Sequence, residues 1–425
     1  MNETATVAST PTERGANSPA GLYQALVLRV LEKMVHGHLR LELPDGRIRE
    51  FGIPGVRVSA RIRVRNPIFF QKCVLFGDVG FGESYVDGDW DTENIERVIA
   101  WAIENVDHTP SMSGAKARAL MFNLLKSYNK LQHWLRPNSL STSRRNIAEH
   151  YDLGNEFYRL WLDPTMTYSS GRYTLPGQSL ESAQIAKYDA LCQKLRIRST
   201  DHVLEIGSGW GGFSVHAAKN YGCRVTTVTI SEEQFKLAKQ RFAEEGLAGR
   251  IEILLLDYRH LSGRFDKIVS IEMMEALGDR YLETYSSKIN ELLKPNGLVG
   301  LQFITVPDSR HAELRKGVDW IQKHIFPGSL LLSLGRVNRA LNRTGNLTLH
   351  ELEDLGASYA KTLHVWWECF NTQLDAVAAL GFDERFVRKW NYYLQYCEAA
   401  FASRNISVVQ GIYTRPNNSD LHTIY

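Results

Sequence analysis

Residues 203–214 read VLEIGSGWGGFS. A short apolar run carrying one acid enters a cluster of four glycines, and Val215, Ala217 and Ala218 continue at helical spacing. The pattern predicts a buried parallel strand, a glycine turn and the start of a helix. Such a turn lets a ligand approach bare backbone near the positive end of a helix. Gly207, Gly209 and Gly212 satisfy G-x-G-x-x-G, which alone is a weak sign of dinucleotide binding. A nicotinamide site asks for an acid closing the next strand, to hold a ribose hydroxyl. Here that strand, RVTTVTI at 224–230, runs through Thr229 to Ser231, and Glu232 falls inside the following helix. The acid stands instead at Glu205, where it can orient the loop or a ligand's ammonium group and would repel a pyrophosphate. S-adenosylmethionine, a zwitterion without phosphates, suits this turn better. The plainer reading is a helix-packing turn with no ligand.

Outward from the turn, strand and helix alternate. Strands are predicted at 202–207, 224–230, 251–257, 265–272 and 297–305, with helices from 210, at 231–246 and at 279–293. This is an α/β, doubly wound, Rossmann-like parallel sheet. A late strand at 406–415 closes it, and a mostly helical insertion at 308–404 is expected to build a substrate chamber. These segments form a domain at 150–425. Residues 22–107 read as a small α+β domain opening on an amphipathic helix, Leu22 to Val35. Residues 108–149 read as a helical linker and 1–21 as a disordered tail. A strand over Val56 to Val64 places Arg57, Arg61 and Arg63 on one face, either a solvated surface or a contact with anionic head groups.

The 425 residues carry a formal net charge of only +3, which excludes a strongly basic nucleic-acid binder. The five cysteines form no C-x-x-C and read as reduced packing residues, with no metal site. No run approaches the ~18 apolar residues of a membrane span. Glu3 and Glu13 stand in a polar N-terminus that does not read as a signal peptide.

In an open parallel sheet, ligands bind beyond the carboxyl ends of the strands. Asp257 and Tyr258 follow the third strand; Asp257 can accept from an adenine amino group or cap a helix. SIEMMEALG at 270–278 holds Glu272 and Glu275, which share one face if helical. A buried carboxylate there has raised proton affinity and can act as a base. Glu272 also reads as a cap or surface acid.

The segments EHYDLGNEFYRLWLDPTMTYSS (149–170), LESAQIAKYD (180–189), VLEIGSGWGG (203–212), VTISEEQ (228–234), FDKIVSIEMMEALG (265–278), LLKPNGLVGLQFI (292–304) and NYYLQYCEAAFASR (391–404) resemble, in order, the cyclopropane-fatty-acyl-phospholipid synthase family, and EMMEALG and LQFITVPD lean to its plant-like branch. The resemblance implies a class I methyltransferase fold and an S-adenosylmethionine-dependent enzyme acting on cis double bonds of phospholipid acyl chains. It implies a homodimer, peripheral on the cytoplasmic face of the inner membrane. Donor contacts carry over to Tyr168, Ser169, Gly207, Gly209, Thr229, Gln234 and Tyr258. The family's base is a bicarbonate ion, and its ligand positions fall on Glu275, Ile304, Tyr359, Ser170 and Gln302. The last two depart from the usual Cys and His, yet both can donate hydrogen bonds to the anion. Trp366, Trp367 and Phe370 are expected to line or pack the acyl chamber. Ring closure is the leading expectation. The alternatives are methylation without a ring, a lipid- or donor-binding homologue that has lost catalysis, and a nicotinamide oxidoreductase.

Overall fold

The computed structural model describes residues 19–106, 153–315 and 317–421. The expected linker and nearly all of the expected tail lie outside the described residues.

The described residues begin with helix α1 (Pro19–Leu31) and a four-stranded sheet of β1 (His38–Glu42), β2 (Ile48–Gly52), β3 (Ser59–Val64) and β4 (Trp90–Asp91), in the order β2-β1-β3-β4. Helices α2 (Ile68–Val86) and α3 (Ile95–Val106) complete it. α1 stops short of the expected Val35; buried Met34 follows it in a turn that reverses at Gly37, with φ of +70°. On β3, alternate residues Ala60, Ile62 and Val64 are buried. The outward arginines are not free charges. Arg63 bonds Glu42 at 3.0 Å, Arg61 bonds Glu93 at 3.1 Å, and Arg65 bonds Asp91. Arg57 precedes the strand. The row is a ladder of ion pairs to acids on the sheet and in the segment just after β4, which removes most of the excess charge an anionic surface would need.

Residues 153–421 contain the second sheet: β5 (His202–Ile206), β6 (Arg224–Thr229), β7 (Ile251–Leu255), β8 (Phe265–Ile271), β9 (Leu293–Thr305), β10 (Thr348–Asp354) and β11 (Ser407–Thr414). Their order is β10-β11-β9-β8-β5-β6-β7. β5 through β9 run parallel, whereas β11 and β10 add antiparallel to one edge. The parallel strands are covered on both faces, so they read as nearly continuous apolar runs. β5 pairs with β6 on one side and β8 on the other. The chain therefore changes direction across the sheet at the carboxyl end of β5, where ligands bind in such sheets. That end is the glycine turn. The expected strand at 251–257 ends at Leu255, which leaves Asp257 in a turn. The expected helix at 279–293 is a 3₁₀ turn followed by a helix, Leu282–Leu292.

Helices α4 (Leu180–Lys194), α5 (Gly212–Tyr221) and α6 (Glu232–Glu244) cover this sheet, and the insertion contributes α7 (Leu334–Gly345), α8 (Gly356–Thr372) and α9 (Glu384–Ala402). β10 was not expected within the helical insertion. One aromatic core spans α2, α3, β4, α8 and α9. Ile95 N–H donates to the buried Gln395 side chain at 3.1 Å, and Arg388 donates to the Tyr85 and Trp90 carbonyls. The N-terminal sheet is thus seated on the helical insertion and shares its core. Among the described residues no helix is long and apolar enough to cross a membrane.

Candidate active site

A cavity of about 410 Å³ opens at the carboxyl ends of β5, β6, β7, β8 and β9. Of the sequence-derived candidates it is lined by Tyr168, Ser169, Glu205, Gly207, Gly209, Thr229, Gln234, Asp257, Tyr258, Glu275, Ile304 and Tyr359. Glu272 joins them; Ser170 and Gln302 do not.

The glycine turn divides its work. A side chain at Gly211 would stand 2.5 Å from the Phe242 ring, and one at Gly212 would stand 2.5 Å from the Tyr188 hydroxyl. Those two glycines serve close packing of α5 on α6 and α4. Gly209 has φ of +48° and nothing within 4 Å of its missing Cβ, so its backbone faces open cavity. Below it, Glu205 accepts from the Ser214 hydroxyl at 2.5 Å and the Thr227 hydroxyl at 2.6 Å. Burial raises its pKa to about 7 against those donors. Its observed task is to tie β5, β6 and α5 together beneath the loop.

On the β6 side, the Thr229 hydroxyl donates to the Gln234 side chain at 2.8 Å and accepts from Ser231 N–H. The Tyr258 hydroxyl is buried without a hydrogen-bond partner. Asp257 takes the cap role: it accepts from Arg259 N–H at 3.0 Å, and both its oxygens bind the Arg259 guanidinium. The pairing orients the carboxylate at the cavity wall and leaves Oδ2 a further lone pair for a donor. Bare backbone at Gly209, the orphaned Tyr258 hydroxyl and the absence of an acid closing β6 fit S-adenosylmethionine. Gly207, Gly209, Thr229, Gln234 and Tyr258 would hold it.

The opposite wall is carboxylate chemistry. Glu272 follows β8 with φ of +46°, a left-handed conformation uncommon outside glycine. Glu275 sits in the 3₁₀ turn Met274–Ala276, so the expected helical pairing of the two acids is replaced by a strand end and a tight turn. Glu275 Oε1 accepts from Ile304 N–H at 2.5 Å, while its Oε2 is buried without a partner. Burial, and next the charge of Glu272, push the Glu275 pKa up to about 8. Glu272 Oε1 accepts from Ser170 N–H at 2.9 Å and from Gln302 Nε2–H at 2.7 Å, and the Tyr359 hydroxyl reaches the same carboxylate. Burial raises its pKa too, opposed by Lys187 and these donors.

This geometry corrects the expected bicarbonate site. The Ser170 hydroxyl donates to the Gly171 carbonyl at 2.8 Å, and the Gln302 amide oxygen accepts from Gln410 at 2.9 Å. The Ser170 and Gln302 N–H groups go to Glu272, and Ile304 N–H goes to Glu275. The donors that would hold the anion are occupied by protein carboxylates, and an ionised carboxylate among them repels it. Bicarbonate does not fit.

Sequence reasoning missed Lys187. It is fully buried on α4, donates to the Ser169 hydroxyl at 2.6 Å and to Gln184 at 2.7 Å, and burial lowers its pKa to about 7. A charged residue on the inward side of LESAQIAKYD was the available signal. Tyr393, whose hydroxyl meets that of Tyr168 at 2.8 Å, was also missed. Trp366 and Phe370 are wholly buried and pack behind the cavity; the Trp366 ring lies 5.4 Å from that of Tyr168. Apolar side chains including Leu314, Ile321, Phe326, Leu331 and Phe401 line the rest of the cavity.

Residues 138–411 match the family model described as mycolic acid cyclopropane synthetase. The chain is 36% identical over 405 residues to the tuberculostearic acid methyltransferase UfaA1 of Mycobacterium tuberculosis, a match covering 91% of this chain and 90% of that protein. It is 37% identical over 362 residues to the cyclopropane-fatty-acyl-phospholipid synthase of Escherichia coli K12, covering 84% and 88%. Among solved structures, mycolic acid cyclopropane synthase CmaA1, complexed with SAH and CTAB, aligns with a TM-score of 0.60 at 29% identity, over 64% of this chain and 98% of that one.

Proposed function

Because the chain belongs to the mycolic acid cyclopropane synthetase family of S-adenosylmethionine-dependent methyltransferases, we propose that its acceptor is the cis double bond of an unsaturated phospholipid acyl chain, and that the product is a cyclopropane. One observation carries this reading. A single cavity is lined by the glycine turn, by the carboxylate pair Glu272 and Glu275, and by apolar side chains. S-adenosylmethionine supplies an electrophilic sulfonium methyl. An alkene is a poor nucleophile, so the residues here must align it and stabilise the carbocation that methylation leaves on the chain. Glu272 supplies negative charge and the Tyr359 ring an aromatic face for that cation. Each acyl methylene buried among the apolar side chains contributes ~0.8 kcal/mol, which helps withdraw the tail from a bilayer. The enzyme is accordingly read as peripheral on the inner membrane face, with the exposed, cavity-lining Leu314 in contact with lipid; a homodimer rests on the family resemblance alone.

Methylation without ring closure is the second reading, favoured by the similarity to a protein named as a methyltransferase, not a cyclopropane synthase. The test is incubation of the protein with cis-monounsaturated phospholipid vesicles and a donor labelled with CD3. The expected product retains CD2 and, with unlabelled donor, shows upfield cyclopropane protons by NMR. A fully converted product lacking those protons selects the second reading. Absence of donor turnover would leave only a binding protein.

A further inference from the structure

We propose that Glu272 is the catalytic base, a carboxylate built into the chain that occupies the hydrogen-bond donors an exogenous anion would otherwise take. The inference rests on the functional reading above and goes one step further, to the group that removes the proton.

Three donors from three distant segments converge on this side chain: Ser170 N–H, Gln302 Nε2–H and the Tyr359 hydroxyl. Two of the residues that supply them, Ser170 and Gln302, have no share in the cavity lining, whereas Glu272 does. They act on the cavity through Glu272. Its backbone is held in the left-handed region, where a non-glycine residue costs about 1 kcal/mol or more and persists only when its surroundings over-determine it. Here the over-determination includes a backbone bond from Glu272 N–H to the Gln302 carbonyl at 2.7 Å.

The two cavity carboxylates are not equivalent. Glu275 has one N–H donor, an orphaned oxygen and an acid for a neighbour. Glu272 has three donors and the field of Lys187. Like charges this close do not both ionise readily, so the pair divides into a proton-holding member and an ionised one. Donor count assigns ionisation to Glu272.

The step balances without another reactant. After methylation the sulfonium has left as a neutral thioether and the chain carries a carbocation. Glu272 takes a proton from the newly attached methyl group. The electron pair of that C–H bond forms the second C–C bond to the cationic carbon and closes the ring. The proton remains on Glu272 as the carboxylic acid and passes to water after product release.

The test uses the full-length protein, cis-monounsaturated phosphatidylglycerol vesicles and strictly CO2-free buffer. The wild type is expected to turn over at the same rate with or without added bicarbonate. Glu272→Gln is expected to lower kcat about 100-fold or more while KM and S-adenosylhomocysteine affinity shift by at most about threefold. The affinity, measured by calorimetry, also reports that the variant is folded. Glu272→Gln turning over within about threefold of the wild type would overturn the proposal. So would a wild-type rate that rises several-fold on adding bicarbonate, an outcome independent of whether any variant folds. A wild type inactive in both buffers would instead sink the functional reading itself.

Discussion

The cavity wall that meets the donor is held by contacts a few residues apart, and the wall across from it by contacts between remote segments. Thr229 and Gln234 are five residues apart, and Asp257 and Arg259 two. Glu272 and Ser170 are 102 residues apart, and Glu275 and Ile304 are 29. The donor wall is therefore set largely by local turn chemistry at strand ends. The acceptor wall exists only once the sheet, α4 and α8 have come together. The first tolerates no bulk at its packing glycines. The second tolerates no loss of charge balance.

The sharpest break in the donor wall is Gly211→Ala. Its φ of +88° disfavours a side chain, and the new Cβ would meet the buried Phe242 ring at 2.5 Å. Overpacking plus backbone strain predict a loss of about 2–4 kcal/mol. That appears in thermal unfolding as a fall in Tm of roughly 5–15 °C. Gly209→Ala separates packing from binding. Its Cβ meets no protein atom, so stability should fall by only about 1 kcal/mol. S-adenosylhomocysteine affinity should drop about tenfold or more, because the methyl enters the donor's space. If both variants lose stability equally and neither loses affinity selectively, the division of labour within the turn is wrong.

The acceptor wall is broken by pH. Glu275 is an acid with its pKa raised to about 8; it holds its proton below that value and ionises above it. Ionisation places a second negative charge beside Glu272. Turnover should therefore fall as pH rises through about 8. Glu275→Gln keeps an acceptor for Ile304 N–H and does not titrate. It should remain within about tenfold of the wild type at neutral pH and lack the alkaline fall. A pH–rate profile with the same alkaline limb in both proteins would remove Glu275 from that role.

The same contrast explains what could be read from the chain. The parallel strands and glycine turn were legible because both-face burial writes apolar runs and the turn demands glycine. β10 was not. Its sequence, TLHELED, is almost wholly exposed at a sheet edge and shows no apolar alternation; acids on an edge strand discourage further pairing. Tyr359 and Ile304 became candidates through resemblance, and Glu275 already did so as one of two acids in an apolar segment. The choice between Glu272 and Glu275 did not, because it depends on where the N–H groups of residues 170, 302 and 304 point after folding. Ser170 and Gln302 were legible as departures from a pattern, but their shared partner, Glu272, stands 102 and 30 residues away along the chain and is met only after folding.

The arginine row tests whether a charge pattern legible in sequence survives as a surface property. Arg61 and Arg63 face Glu42 and Glu93 across the N-terminal sheet, and such exposed pairs contribute about 0–1 kcal/mol each. Replacing both arginines by Ser removes two cations but also leaves two acids unpaired. Stability should fall by at most about 1–2 kcal/mol. Co-sedimentation with anionic vesicles should change little at physiological salt, where charges beyond about 8 Å are screened. A large loss of vesicle binding would mean that the arginines leave their acids for phosphate when a membrane is present, and that the ladder is a resting state of a lipid-binding face.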